Sequence, residues 1–291
     1  MDDSDFFETP RLKESVVAIL GLGLMGGSLA LALRGKCAML IGADPDPRAV
    51  ELAQARQVVD RASTSPQELL AQADLVVLAA PVGAILALLS ALPDLHPGSA
   101  AVLDLGSTKG EILRRMEALP ARFDPLGGHP MCGKEKSSLL HAEAELYRGA
   151  PFALTPLERT SPRVRSLAEQ LVQAVGARPL WIDAATHDRW VAATSHAPYL
   201  VANALAAATP LEAKPLVGPG LRSATRLAPA SLTMMMDILA TNQDNVLAAL
   251  QRFRLALDAL EHALSVSDLD DLRAQLALGA QHYTALMAEG N

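Results

Sequence analysis

Over its first two-thirds the chain alternates short apolar runs with stretches of helical spacing. Val16–Leu20 is continuously apolar and stops at Gly21, and Ala38–Ala43, Leu75–Ala79 and Ala100–Leu105 repeat the pattern. A short run without a polar position is how a strand covered on both faces reads. Between these runs, Met25–Leu33, Pro47–Gln57, Ala84–Leu92 and Gly110–Leu119 have helical periodicity, with a shorter helical piece at Pro66–Gln72. Phe123–Leu126, Pro151–Leu154 and Pro179–Ile182 read as further strands, and Arg163–Val175 as a long helix. Alternation of this kind predicts βαβ units around a mainly parallel sheet.

The alternation stops near Asp183. Beyond it the sequence predicts only helices, at Thr186–Ala208, Pro229–Leu239, Asn242–Leu264 and Leu269–Met287. Residues 209–228, with three prolines and two glycines, read as a connection. Helices this apolar are expected to pack on a second subunit as well as on each other. Residues 1–14 are polar and read as a loose arm.

The first strand runs into Gly21-Leu22-Gly23-Leu24-Met25-Gly26. A G-x-G-x-x-G between a strand and a helix is the dinucleotide fingerprint: a sharp turn, close approach of a pyrophosphate, and helix–strand packing. The helix N-terminus adds free N–H groups and a positive dipole end for the phosphates. Asp44 ends the second strand, where a carboxylate accepts bonds from ribose hydroxyls and repels a 2′-phosphate. This favours NAD, with Arg48 keeping NADP open; Asp44 could equally cap the helix that begins near Pro47. Ala80, Pro81 and Val82 follow the third apolar run and are expected to touch the cofactor through their backbone, since ligands lie beyond the carboxyl ends of such strands. The expected architecture is α/β: a Rossmann-type dinucleotide-binding domain over residues 1–183, then an all-α dimerisation domain over 184–291.

Composition removes several other classes. Lys plus Arg number 25 against 32 Asp plus Glu, a net charge of −7, and aromatics are 3%. That balance disfavours nucleic acid as a partner. Two cysteines make no disulfide framework, the N-terminus is acidic, and the most apolar stretch is too short to span a bilayer. A cytoplasmic protein without a membrane segment is expected. His129 and Cys132 would supply only two metal ligands, so no metal is expected.

The chemical candidates follow two of the strands. Asp104-Leu105-Gly106-Ser107-Thr108-Lys109 ends one, and Gly127-Gly128-His129-Pro130-Met131 ends the next. A histidine beside a nicotinamide takes the proton of a substrate hydroxyl as hydride leaves. A nearby serine hydrogen-bonds the imidazole or the substrate hydroxyl.

Taken together, the glycine fingerprint with Gly27-Ser28, the Gly-Ser-Thr-Lys run at 106–109, the Gly-Gly-His-Pro-Met run at 127–131, Ser195-His196-Ala197-Pro198 and Thr225-Arg226 resemble the prephenate/arogenate dehydrogenases of tyrosine biosynthesis. The resemblance runs from about residue 16 to about 265. It implies a homodimer and an NAD-dependent oxidative decarboxylation of prephenate, arogenate or both. It implies His129 as the base, Ser107 as its hydrogen-bond partner, Arg226 on the substrate carboxylate, and His196 shaping the pocket or ordering the interface. Tyr199 stands where many prephenate-preferring members have a second histidine, and Lys134 where many have a small hydroxyl residue. Met234-Met235-Met236 replaces a Trp-containing segment. β-Hydroxyacid dehydrogenases and imine reductases open on a similar fingerprint but rely on a helix lysine and lack Gly-Gly-His-Pro. An NAD-sensing binding protein would need none of Ser107, His129 and Arg226.

Overall fold

The computed structural model describes residues 11–134 and 138–288. Eight strands form one sheet: β1 (Val16–Leu20), β2 (Met39–Ala43), β3 (Arg61–Ser63), β4 (Leu75–Leu78), β5 (Ala100–Asp104), β6 (Phe123–Pro130), β7 (Pro151–Pro156) and β8 (Arg178–Trp181). Their order is β3-β2-β1-β4-β5-β6-β7-β8, and every pairing is parallel except β6 with β7. Twelve helices follow in chain order among the described residues. In the sheet region lie α1 (Leu24–Leu33), α2 (Pro47–Ala55), α3 (Gln67–Leu70), α4 (Val82–Leu95), α5 (Gly110–Glu117) and α6 (Pro162–Ala174). Then come α7 (Ala184–Val191), α8 (Ala197–Ala208), α9 (Pro219–Ala224), α10 (Leu232–Thr241), α11 (Gln243–Ser265) and α12 (Leu269–Met287).

The apolar runs are explained by cover on both faces. Successive side chains of a strand point to opposite sides. Val17, Ile19, Leu75, Val77 and Leu103 join α1 and α6 in one core. Ala18, Leu20, Val76, Leu78 and Val102 join α4 and α5 in the other. Tyr199, Met235 and Ile238, from beyond the sheet region, complete that second core. Helix α2 starts at Pro47, as its sequence predicts, but its cap is Asp46, whose side chain accepts from Arg48 N.

Five expectations change. Residues 209–228 are not only a connection, since α9 occupies Pro219–Ala224 within them. Arg61–Ser63 forms an edge strand that no apolar run announces. Strand β6 runs on to Pro130, so Gly127, Gly128 and His129 lie in the ladder, opposite Thr155, Leu154 and Ala153, not in a turn. A Cβ on Gly127 would meet Thr155 Oγ1, and one on Gly128 would sit 2.6 Å from the Asp104 carbonyl oxygen. These glycines serve close packing within the sheet. The long helix over 186–208 is interrupted by a π-type turn at Ala192–His196. Finally, Leu12 is buried and its N–H donates to Gln170 Oε1, so this part of the N-terminal arm is docked. The rest of the arm, residues 1–10, lies outside the described residues.

The chain divides into two compact units, one ending at Asn242 and one beginning at Gln243. The second is the hairpin of α11 and α12, with Asp268 capping α12 through Asp271 N. Phe253, Leu257, Leu276, Tyr283 and Leu286 of this hairpin are exposed.

Candidate active site

The fingerprint forms a turn at the carboxyl end of β1. Gly21 has φ +104°, and a Cβ there would run into the Ala79 carbonyl after β4. A Cβ on Gly26 would strike the Gly21 carbonyl. Both positions require glycine for the turn and for α1 to approach the sheet. Gly23 differs, because nothing lies within 4 Å of a Cβ built there. It is the N-cap of α1 and supplies no side-chain cap, which leaves that helix start open to an anion. The open cradle and the uncapped helix start fit a dinucleotide pyrophosphate.

Asp44 braces this turn. Its Oδ2 accepts from Leu22 N at 2.7 Å and its Oδ1 from Asp46 N at 2.9 Å. The cap of α2 is Asp46, so the capping alternative for Asp44 is set aside. Ala80 and Pro81 follow β4, Pro81 precedes α4, and Val82 is buried. The start of α4 is capped from afar: Gly83 N donates to Asp237 Oδ2 of α10 at 3.0 Å. We expect Gly23→Val to weaken NAD binding at least tenfold while leaving the melting temperature nearly unchanged, because its side chain meets only the cradle. Fluorescence titration and thermal unfolding together check this.

The ends of β5 and β6 carry a buried polar network. Lys109 and Asp104 form an ion pair with both side chains fully buried. Lys109 Nζ also donates to Gly128 O at 2.6 Å, while Asp104 Oδ1 accepts from Gly128 N at 3.1 Å and Oδ2 from Gly106 N at 2.7 Å. Both backbone groups of the residue before His129 are therefore held. Burial pushes the Lys109 ammonium below the usual lysine range, and Asp104 pulls against that shift.

His129 itself is half-buried. Its Nδ1 lies 2.9 Å from Nε2 of His187, and Nδ1 of His187 lies 2.8 Å from Asp188 Oδ1. The expected bond from Ser107 to His129 is not formed; the ring's partner is His187, and Ser107 sits half-buried after β5. Asp188 also accepts from Lys109 N and Gly110 N, at 2.7 and 2.8 Å, and so caps α5. Burial opposes charge on Asp188, but the bonds from His187, Gly110 and Lys109 outweigh it and hold the carboxyl below its usual range. Desolvation above all, with the nearby Lys109 charge adding to it, pushes His129 well below the ordinary histidine value. His129 is thus an uncharged imidazole at neutral pH.

His196 closes the network and does not line the cleft. It is buried, with Nδ1 3.2 Å from Asn242 Nδ2, which also donates to the Asp188 carbonyl. Burial lowers His196 from 6.5 to about 4; Asp188 opposes the shift and His187 adds to it. The folded-state value is the lower one, so between pH 6.5 and about 4 the unfolded chain binds the extra proton. Stability from this residue is complete above pH 6.5 and falls by about 3 kcal/mol as the pH drops to about 4. Urea unfolding of the wild type should weaken over that window, and His196→Asn should flatten the dependence.

A cleft of about 880 Å³ begins just past the end of β6. Lys134, Tyr199, Arg226, Ser195 and Met234 line it. Three of the four expected substrate contacts thus share one cavity, and His196 lies in the buried network instead. Lys134 is paired with Glu143 at 2.6 Å. Met235 both lines the cleft and packs in the core, so a pocket role and a core role coexist in that run. Among the described residues, no group of three or more His, Cys, Asp or Glu side chains is arranged to hold a metal ion. No described helix is long and apolar enough to cross a membrane.

Hydride transfer from an alcohol needs a dinucleotide cradle and an uncharged base on the same edge of the sheet. Both lie at the carboxyl ends of the parallel strands here, which makes the chain a dinucleotide-dependent dehydrogenase. The family model described as prephenate dehydrogenase, nucleotide-binding domain, matches residues 29–180, and the one described as its dimerization domain matches 183–278. The chain belongs to the prephenate dehydrogenase family. It is 31% identical to the prephenate dehydrogenase of Bacillus subtilis, over 90% of this chain and 73% of that protein. A crystal structure of prephenate dehydrogenase from A. aeolicus, in complex with hydroxyphenyl propionate and NAD+, superposes with a TM-score of 0.87 at 28% identity. That match covers 95% of this chain and all of the other. Synechocystis arogenate dehydrogenase gives a TM-score of 0.81 at 30% identity, over 94% of this chain and 100% of that one.

Proposed function

We propose that this enzyme carries out the NAD-dependent oxidative decarboxylation of prephenate, arogenate or both, with His129 as the base. The observation that carries this reading is His129 itself: uncharged, half-buried, fixed through one ring nitrogen, and placed at the carboxyl end of β6. A bound NAD would supply the hydride acceptor for the carbinol carbon of the substrate. His129 takes the hydroxyl proton as that carbon becomes a carbonyl. Loss of carbon dioxide returns the C–C electron pair to the ring, and the resulting phenolate recovers the proton from His129. Gly23 and the start of α1 would hold the pyrophosphate and Asp44 the ribose hydroxyls, while the backbone of residues 80–82 would touch the dinucleotide. Arg226 supplies a planar guanidinium for the substrate carboxylate. Ser107, close in sequence to the network, remains a candidate for the reacting hydroxyl.

Prephenate and arogenate share the reacting ring and differ in the side chain, a keto acid in one and an amino acid in the other. Lys134 and Tyr199 are the cleft groups proposed to meet that side chain. The substrate domain is proposed to begin at residue 184 and to form a cytoplasmic homodimer. The dimerization-domain match and the exposed apolar side chains of the α11–α12 hairpin support the dimer. Steady-state NAD reduction with each substrate offered separately tests the reaction. Turnover of either one is expected, and no turnover of both, with NAD and NADP each tried, overturns it.

A further inference from the structure

We propose that His187 and Asp188 are positioning residues that fix the tautomer of His129, so that the nitrogen presented to the reacting hydroxyl is Nε2 without its hydrogen. This rests on His129 being the base. The argument follows the proton along the chain of contacts. Asp188 accepts at both oxygens, from two backbone N–H groups and from His187. As an ionised carboxylate it has no hydrogen to give, so His187 Nδ1 must donate to it. With Nδ1 committed to Asp188, His187 meets His129 Nδ1 through its own Nε2, 2.9 Å away. A base that works through Nε2 keeps its hydrogen on Nδ1, so His187 Nε2 is the acceptor of this contact. Nε2 of His129 is then bare and available as the base.

The alternatives are visible in the same geometry. A charged His187 would donate from Nε2, put the His129 lone pair on Nδ1, and leave its Nε2 carrying hydrogen. The charged and titratable groups around the pair are Asp104, Lys109, Asp188 and His196. His187 and Asp188 are both buried, and the rings of His129 and His187 meet edge-on with centroids 5.1 Å apart. The pair therefore sits behind the base and acts through it, as in carboxylate–histidine arrangements elsewhere.

The test uses 15N-histidine-labelled enzyme with NAD bound, together with His187→Phe and His187→Gln. The His129 signals are assigned by their loss in His129→Gln. In the wild type, Nδ1 of His129 should resonate as a protonated nitrogen and Nε2 as a bare one. In His187→Phe both tautomers should become populated, and kcat should fall by about ten- to a hundredfold with substrate KM little changed. In His187→Gln an amide oxygen can accept the same hydrogen, so tautomer and most of kcat should return. A wild-type His129 with its hydrogen on Nε2, or a folded His187→Phe variant with unchanged tautomer and kcat, overturns the proposal. The wild-type spectrum decides the tautomer even if a variant fails to fold. Near-normal turnover in His129→Ala would instead remove the base reading, whatever the spectrum shows.

Discussion

Replacing His129 with alanine is expected to lower kcat by about a hundredfold or more while NAD binds with nearly its original affinity. The two effects separate because the two machineries use different strands. The dinucleotide cradle is built on the turn after β1 and on Asp44 at the end of β2, and none of its bonds passes through His129. The histidine is held from its own side, by the ladder with β7 and by His187. Removing the ring deletes the only proton acceptor proposed at the reacting carbon. Stopped-flow NAD binding and steady-state turnover on the same preparation decide it. Near-normal kcat would take His129 out of the mechanism.

The second large effect is on stability. Lys109→Met should destabilise the fold by about 3–5 kcal/mol, because it leaves the Asp104 carboxylate buried without its counter-charge. That loss corresponds to a fall in melting temperature on the order of 10 °C. Adding Asp104→Asn removes the orphaned charge, so the double variant should recover a substantial part of the loss, as replacements of whole buried ion pairs do. Equal stability of the single and double variants would mean that water reaches Asp104. Activity should stay low in both, since Lys109 and Asp104 bind the two backbone groups of Gly128, next to the base.

The sequence was readable where burial is local and continuous, and not where a role depends on distant packing. Val16–Leu20 and Leu75–Leu78 were legible as strands because cover on both faces demands unbroken apolar runs. Arg61–Ser63 was not, because an edge strand of three residues pairs through its backbone and buries little. The fingerprint could be read in place, since turn, helix start and glycines are contiguous. Gly127-Gly128 gave the opposite signal to its meaning: two glycines suggest a turn, but here they let neighbouring strands and side chains close in. Lys109 lay within a motif already singled out, but its burial against Asp104 is a fact of packing. His187 and Asp188 had no local signal at all. They read as ordinary residues of a helix, and acquire their role only when α7 docks on the end of β6 and the start of α5, 58 and 79 residues earlier in the chain. Ser107 was assigned to His129 through the resemblance, and the fold gives that contact to His187 instead.

Asp44 constrains any redesign of cofactor choice. The obvious exchange for admitting NADP is to remove this carboxylate and let Arg48 meet the extra phosphate. Yet Asp44 is also a strut, with one oxygen on the Leu22 amide and the other on the Asp46 amide. Taking it away would loosen the glycine turn that receives the pyrophosphate, so a gain at the ribose would come with a loss at the phosphates. A workable exchange must keep a short oxygen acceptor at position 44, as serine or asparagine would, and place the new positive charge elsewhere.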